Sequence, residues 1–504
     1  MPSEITVQDG LAPYHFAGMV YNPSKGALNK QAQRLLVIGR YEPENSENPE
    51  KKEVPNEVLQ QITSSSRIAE VYPNSESQIV KMLEAVFEAN PMVECYALAI
   101  TDTESTKPTW EFTFSKVKDA PIEDGNIMLG ICGLEPIKIE IKADDFKTEE
   151  GQLEKNSVEI LSSKIKKVLD EQEDLTYDHD LDGMGKLTLT HKQPENQNNP
   201  LSFGIDVDAP GFSVKRTAFR KGVKSTKSLE DALESLPEKQ FTQIAGGYND
   251  SSELKKINQE LEKRWGPTLQ MDGHYFTAVS GSITEIKADY TENGKLLDQL
   301  PHVTVMAIGD SQLDPAVWAA SLAAVNAKYV SKPYLPYSSL EIPLPLDVPD
   351  ALPKAEYKLS ERNQLLAAGI STHIVESGKA KIDRLVTMHS KDKSYRDLNK
   401  KQILSYLRYD FVKFLKTMFP RSGLSRDNTQ ADGDIVTPKS ARDLAIARHN
   451  RWKQEKYVQD PDGSFKNLIN VRVDENDGES LRFFLPVQLM GQLRRTVTTI
   501  AFTP

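Results

Sequence analysis

The run Leu35-Leu36-Val37-Ile38 constrains this chain more than any other stretch. It shows no polar alternation, so a strand there is buried on both faces. Further on, Ile79, Met82, Leu83, Val86 and Phe87 recur at the i, i+3, i+4, i+7, i+8 spacing of a helix with one apolar face. Asn74 and Ser75 offer its start and Asn90-Pro91 its stop. Val93 to Ile100 reads as a second buried strand. Strand, helix and strand in this order predict a parallel pair joined by a crossover helix.

The alternation resumes at Gln240. Phe241 to Ala245 reads as a strand, and Asp250 caps a helix carrying Leu254, Ile257, Leu261 and Trp265 on one stripe, stopped by Gly266-Pro267. Val303 to Ile308 is another strand. Asp314-Pro315 then places a capping carboxylate before a proline at the first helical position, opening the alanine-rich helix Ala316 to Lys328. Between the two α/β stretches the pattern changes. Strand-like runs dominate (Trp110–Phe114, Ile127–Gly130, Ile137–Ile141, Leu187–Thr190, Phe203–Val207), with one helix near Ser157 to Gln172.

Beyond a proline-rich connection at 331–357, Ser360 is placed to cap a helix bearing Leu365 and Leu366, and Gly369 to close it in the left-handed conformation. Ile370–Val375 and Ala380–Val386 form a hairpin about Ser377-Gly378. Helices Gln402–Thr417 and Pro438–Tyr457 follow, then strands Asn470–Val473, Leu481–Leu485 and Arg494–Thr503. The expected fold is an α/β core, a mixed sheet with flanking helices (34–104 and 216–356). To it are added an inserted mainly-β domain (105–215), an α+β C-terminal domain (357–490) and extended terminal arms (1–33 and the final strand 491–504).

A chain of 504 residues needs more than one core. With 38% apolar residues and no run of membrane-span length, it reads as a soluble protein. Met-Pro-Ser-Glu has no basic stretch before an apolar one, so no secretory signal is expected. Cys95 and Cys132 alone make no disulfide framework, which points to synthesis in a reducing cytoplasm. Charge is uneven. Residues 391–504 hold 21 Lys+Arg against 14 Asp+Glu, which puts −18 of the total of −11 on the rest. A basic end on an acidic chain suggests a polyanion or an acidic protein surface as partner. No nucleic-acid motif or basic–aromatic platform is present, so direct nucleic-acid binding is not expected.

Catalytic constellations are weak. Asp178-His-Asp-Leu-Asp-Gly183 begins like a calcium loop, but the twelfth position is Leu189 rather than a bidentate Glu, so an acidic turn is expected. Gly183-Met-Gly185-Lys186 lacks phosphate-loop spacing. The eight histidines are scattered without metal-site spacing, His373 reading as a hydrogen-bonded strand residue. No G-x-S-x-G elbow occurs. No cofactor and no metal are expected.

A resemblance gives these pieces one meaning. Glu361-Arg362-Asn363, Leu365-Leu366 and Gly369-Ile370-Ser371-Thr372, with Ile382, Arg384, Val386 and Thr387, resemble the contractile tail-sheath proteins of Mu-like bacteriophages. Arg264-Trp265-Gly266-Pro267, Leu404 to Arg408, Phe419 to Leu424 and Val436-Thr437-Pro438 match further elements of that family in order. Lys456-Tyr457-Val458-Gln459 departs from the G-L-x-E that many relatives carry. The resemblance implies a non-enzymatic subunit that polymerises as stacked hexameric rings around a tail tube, with baseplate and tail terminator as further partners. It assembles in the host cytoplasm and resides in the virion tail. The resemblance also implies strand exchange between subunits, here through Val497, Thr499, Ile500 and Phe502 at one end and Ile5 and Val7 at the other. Arg408, Lys413, Lys416, Arg442, Arg448 and Arg451 are the candidates for facing the tube. The sheath of a phage-derived bacteriocin or secretion system is an alternative, and a cytoplasmic α/β hydrolase-like enzyme is the rival of a different class.

Overall fold

The structure is a computed structural model, and it describes residues 30–501 apart from 42–57, 132–136, 148–155, 173–176, 192–202, 226–231, 345–356, 428–433 and some shorter gaps. The chain forms two compact units. The first holds residues 32–332 and 336–401; residues 402–504, with the pieces at 30–31 and 333–335, belong to the second.

The first unit is built on a six-stranded sheet. β1 (Arg34–Arg40) and β2 (Glu94–Ile100) pair in parallel across the crossover helix α1 (Gln78–Ala89). On the other side of β1 come β3 (Gln243–Gly246), β4 (Tyr275–Val279) and β5 (Val303–Ala307), all parallel, so the order is β5-β4-β3-β1-β2. A short strand, Gln60–Ile62, closes the β2 edge antiparallel. The direction in which strands are added reverses between β1 and β3. Helices cover both faces, as a doubly wound sheet requires. α1 and α3 (Pro315–Tyr329) line one face with Leu35, Val37, Leu83 and Trp318 in their core. The other carries α2 (Ser251–Trp265) with Leu36, Ile38, Leu254, Ile257 and Leu261.

Every residue of α3 from Ala316 to Ala327 is buried. Its six alanines in that span let backbone approach the sheet on one side, while Tyr337, Ile342, Ala380 and Ile382 join the same core. The cap is as expected: Asp314 Oδ1 accepts from Ala316 N at 2.7 Å. β4 is absent from the expected strands, although Tyr275-Phe-Thr-Ala-Val279 is β-prone and lies between Gly273 and Gly281. All five of its residues are buried, which makes it a central strand. α1 begins after Ser77 rather than at Asn74 or Ser75.

The insertion leaves the sheet through a ribbon, Asp102–Ser105 paired with Val223–Ser225, and is therefore wider than 105–215. It contains a three-stranded and a four-stranded antiparallel sheet. The helix Ser157–Asp170 contributes Leu161, Ile165 and Leu169 to their shared core with Phe114, Ile127, Ile139 and Leu187. Of the Asp178–Gly183 stretch, Asp178 to Leu181 lie in a strand (Tyr177–Leu181) rather than a turn, and the hairpin turn to Lys186–His191 begins at Asp182. Asp182 Oδ1 accepts from Met184 N at 3.0 Å and Lys186 N at 2.7 Å, and Gly185 takes φ +89°.

The expected domain from 357 to 490 divides, because 336–401 pack with the first unit and 402 onward with the second. The division falls inside α5 (Leu398–Met418), whose first residues are buried in the sheet body. In the second unit α5 packs on α6 (Pro438–Gln454) and on a hairpin of Asn470–Val473 and Leu481–Phe484. α6 stops three residues short of the expected Tyr457. Lys456 turns left-handed at φ +65°, and Val458–Gln459 pairs with Gln488–Leu489, so the segment that departs from G-L-x-E is a turn into a short strand.

Candidate functional site

The motif of residues 357–388 fastens a helix and a hairpin to the β5 edge. α4 (Leu359–Ala367) begins two residues earlier than Ser360 would place it; Glu361 Oε2 accepts from Lys358 N at 2.8 Å and closes the first turn. Its end is a Schellman turn. Ile370 N donates to Leu365 O at 3.0 Å and Gly369 N to Leu366 O at 3.2 Å. Gly369 has φ +82°, and a Cβ there would stand 3.1 Å from Thr387 O, so two constraints select glycine.

Released in this direction, the chain extends the sheet. Ser371 N donates to Val305 O at 2.8 Å and Ser371 O accepts from Ala307 N at 3.0 Å. Ser371 Oγ donates to Val386 O at 3.1 Å and accepts from Val386 N at 2.9 Å, tying one hairpin strand (Thr372–Glu376) to the segment after its mate (Lys379–Arg384). Thr372 Oγ1 donates to Asp383 Oδ2 at 2.9 Å, and Arg362 Nε lies 3.3 Å from the same oxygen. Arg384 Nη2 donates to Asp397 Oδ1 at 2.8 Å. His373 is fully buried, its Nδ1 donating to Ala307 O at 3.0 Å, which is the strand role expected of it. Asn363 is exposed. The motif's polar side chains point at backbone and at each other, which is the chemistry of a joint.

The reversal between β1 and β3 is where an open α/β sheet ordinarily receives a ligand. Here Gln78 fills it. Its Nε2 donates to Asp314 Oδ2 at 2.8 Å and its Oε1 accepts from Arg40 N at 3.3 Å. Gly247 lies against both α1 and α3, where a Cβ would sit 3.1 Å from Ala316 Cβ. Arg264 and Trp265 likewise serve packing. Arg264 Nε donates to Glu260 Oε1 at 2.9 Å and Nη2 to Leu233 O at 3.2 Å. Among the described residues no group of His, Cys, Asp or Glu is arranged to hold a metal, and no helix is long and apolar enough to cross a membrane.

The basic helices of the second unit do not expose their charge evenly. Arg448 is 2% exposed and leaves the tube-facing set: its Nε donates to Asp410 Oδ2 at 2.7 Å, Nη2 to Oδ1, and Trp452 Nε1 donates to the same carboxylate at 2.6 Å. Asp410 is fully buried, so this charge joins α5 to α6. Arg442 donates to Lys466 O, and Arg451 Nη2 lies 2.8 Å from Glu455 Oε1. Arg408 is half-buried, and that burial lowers its pKa. Lys413 and Lys416 are exposed on one stripe of α5 with Tyr409, whose hydroxyl lies 3.4 Å from Lys413 Nζ.

At the C-terminus, Val497 and Ile500 are 87% and 90% exposed, Thr499 is exposed, and no strand forms between 491 and 501. The expected strand does not pair within the described chain. Phe502, Ile5 and Val7 lie outside the described residues.

Residues 222–388, the sheet from β3 onward together with the clamped hairpin, match the phage tail sheath protein central domain. Over 450 residues the chain is 25% identical to the Mu-like prophage FluMu tail sheath protein of Haemophilus influenzae, covering 84% of this chain and 85% of that one. Among solved structures, the sheath tail protein of Desulfitobacterium hafniense aligns with 95% of this chain and 97% of its own, at 11% identity and a TM-score of 0.48. The contracted helical sheath of the anti-feeding prophage aligns with 97% and 98%, at 11% identity and a TM-score of 0.44. The resemblance read from residues 264–438 is met by the family match and by the Mu-like relative.

Proposed function

We infer that this chain is the subunit of a contractile tail sheath, of a phage or of a phage-derived injection system. The similarity over 84% of the chain to a Mu-like tail sheath protein carries the reading. Copies stack as six-membered rings around a tail tube, in an extended lattice of higher free energy. Release at the baseplate lets them move outward as near-rigid bodies and gain contacts with one another, driving the tube through the host envelope. A difference in contact free energy between two lattices is sufficient for this, so no nucleotide is consumed and the subunit is not an enzyme. The filled sheet reversal at Gln78 and the internally committed motif of 357–388 support that reading.

The exposed stripe of Lys413 and Lys416 faces the tube, with Arg408, Arg442 and Arg451 in weaker supporting positions because each is partly buried or engaged. Residues 494–504 donate a strand to a neighbouring copy through Val497, Thr499, Ile500 and Phe502, and the N-terminal arm with Ile5 and Val7 does the same from the other end. About five backbone hydrogen bonds per added strand, at about 0.5–1.5 kcal/mol each, keep copies connected while larger surfaces exchange. The inserted β domain lies on the outside of the lattice. The sheath assembles in the host cytoplasm and ends in the virion tail, bounded by baseplate and terminator. Electron microscopy of the purified chain tests the reading: long hollow striated tubes are expected, and dispersed globules at all concentrations refute it.

A further inference from the structure

Lys401 is a buried lysine where nothing in the sheath reading needs one. It sits in the first turns of α5 and is 4% exposed. Its Nζ donates to Pro301 O at 2.8 Å and to His302 Nδ1, and it lies 5.3 Å from the centre of the Trp265 ring. These three partners surround an ammonium: a carbonyl, an imidazole nitrogen and an aromatic face. His302 is 3% exposed and is held on its remaining sides. Its backbone N donates to Asn258 Oδ1 at 3.1 Å, its ring meets Trp265 edge-on at 5.4 Å between centroids, and the ring also bonds the Gly273 backbone. With Nδ1 taken by Lys401, the imidazole is neutral with its proton on Nε2, directed at Gly273.

A proton added to His302 must therefore land on Nδ1, the atom that accepts from Lys401. It would remove that acceptor and set two cations in contact inside the body. We propose that Lys401 and His302 form a one-proton pin that makes the root of α5 acid-labile, releasing it from the sheet body when a second proton arrives.

The other charged groups around the pair act in known directions. His274, the residue before β4, is buried, its Nε2 lies 2.8 Å from Thr304 Oγ1, and burial holds it neutral with a pKa well below the usual histidine range. Glu262, one turn back on α2, is the acid that favours the Lys401 ammonium, against a burial that lowers the Lys401 pKa well below its ordinary value. Asp397, the residue before α5, pairs with Arg384 and lies 3.9 Å from Lys400 Nζ on the helix. Burial first, then Lys401, push the His302 pKa down to about 2. A histidine depressed in the folded state contributes stability fully present above its unfolded pKa of about 6.5, and lost as pH falls through the window down to about 2.

The test is hydrogen exchange on the full-length subunit, kept dilute so that it stays unassembled, read at residues 398–405 and corrected for intrinsic rates. Between pH 6 and pH 4, opening of this segment is expected to rise by up to about tenfold per pH unit, while the 443–452 segment of α6 rises less. His302→Gln keeps an acceptor for Lys401 and cannot take the proton, so the acid response of 398–405 should vanish. Lys401→Met removes the like charge and should reduce the response. Exchange at 398–405 that ignores pH in the wild type, or that responds equally in His302→Gln, overturns the proposal. Because the measurement uses single subunits, its outcome is separate from whether the chain forms tubes.

Discussion

The 357–388 segment of the first unit and the helix pair of the second are held by opposite means. In the first, the 357–388 segment is fixed to a large apolar core through neutral groups, chiefly Ser371, Thr304 and backbone. In the second, with smaller cores, a buried ion pair of Asp410 and Arg448 joins α5 to α6, flanked by Trp452 and Phe414. A neutral clamp cut on one side leaves a buried polar group unpaired at moderate cost, whereas a buried charge left without its partner costs more. The difference teaches where each unit is brittle.

The largest expected effect follows. Arg448→Met strands the Asp410 carboxylate and should cost about 3–5 kcal/mol in chemical denaturation of the second unit's transition. Asp410→Leu combined with Arg448→Met should recover most of that loss; if the double variant is as unstable as the single, the pair is not the cause. Next, Ser371→Ala leaves the Val386 N–H without its partner and should cost about 1–3 kcal/mol, in the first unit's transition alone. Gly369→Ala follows with about 1–2 kcal/mol, for the left-handed backbone and the approach to Thr387 O. Last, deleting residues 494–504 should leave both denaturation transitions unchanged, since Val497 and Ile500 bury little within their own chain, while abolishing tubes in micrographs. Wild-type tubes from that truncation would falsify the donor-strand proposal.

Much of the fold was legible because its signals are local. A helix period shows in Ile79 to Phe87, a proline cap in Asp314-Pro315, and a left-handed stop in Gly369. β4 was missed because a five-residue buried strand carries no period of its own; its neighbours β3 and β5 define it. The basic face of α6 was overcounted for a related reason. Spacing places Arg448 on a helix, but only the carboxylate of Asp410, thirty-eight residues earlier, turns it inward. Lys401 carried no signal either, since a lysine at the start of a helix reads as exposed.

The sequence by itself determined the alternating α/β order, the cap at Asp314, the left-handed stop at Gly369, and the family to which residues 264–438 are similar, since each depends on residues close together in the chain or on their order. The tertiary structure alone decided which charges stay outside. Desolvation depends on what packs against a side chain from distant parts of the chain. That put Arg448 and Lys401 inside and left Lys413 and Lys416 facing solvent.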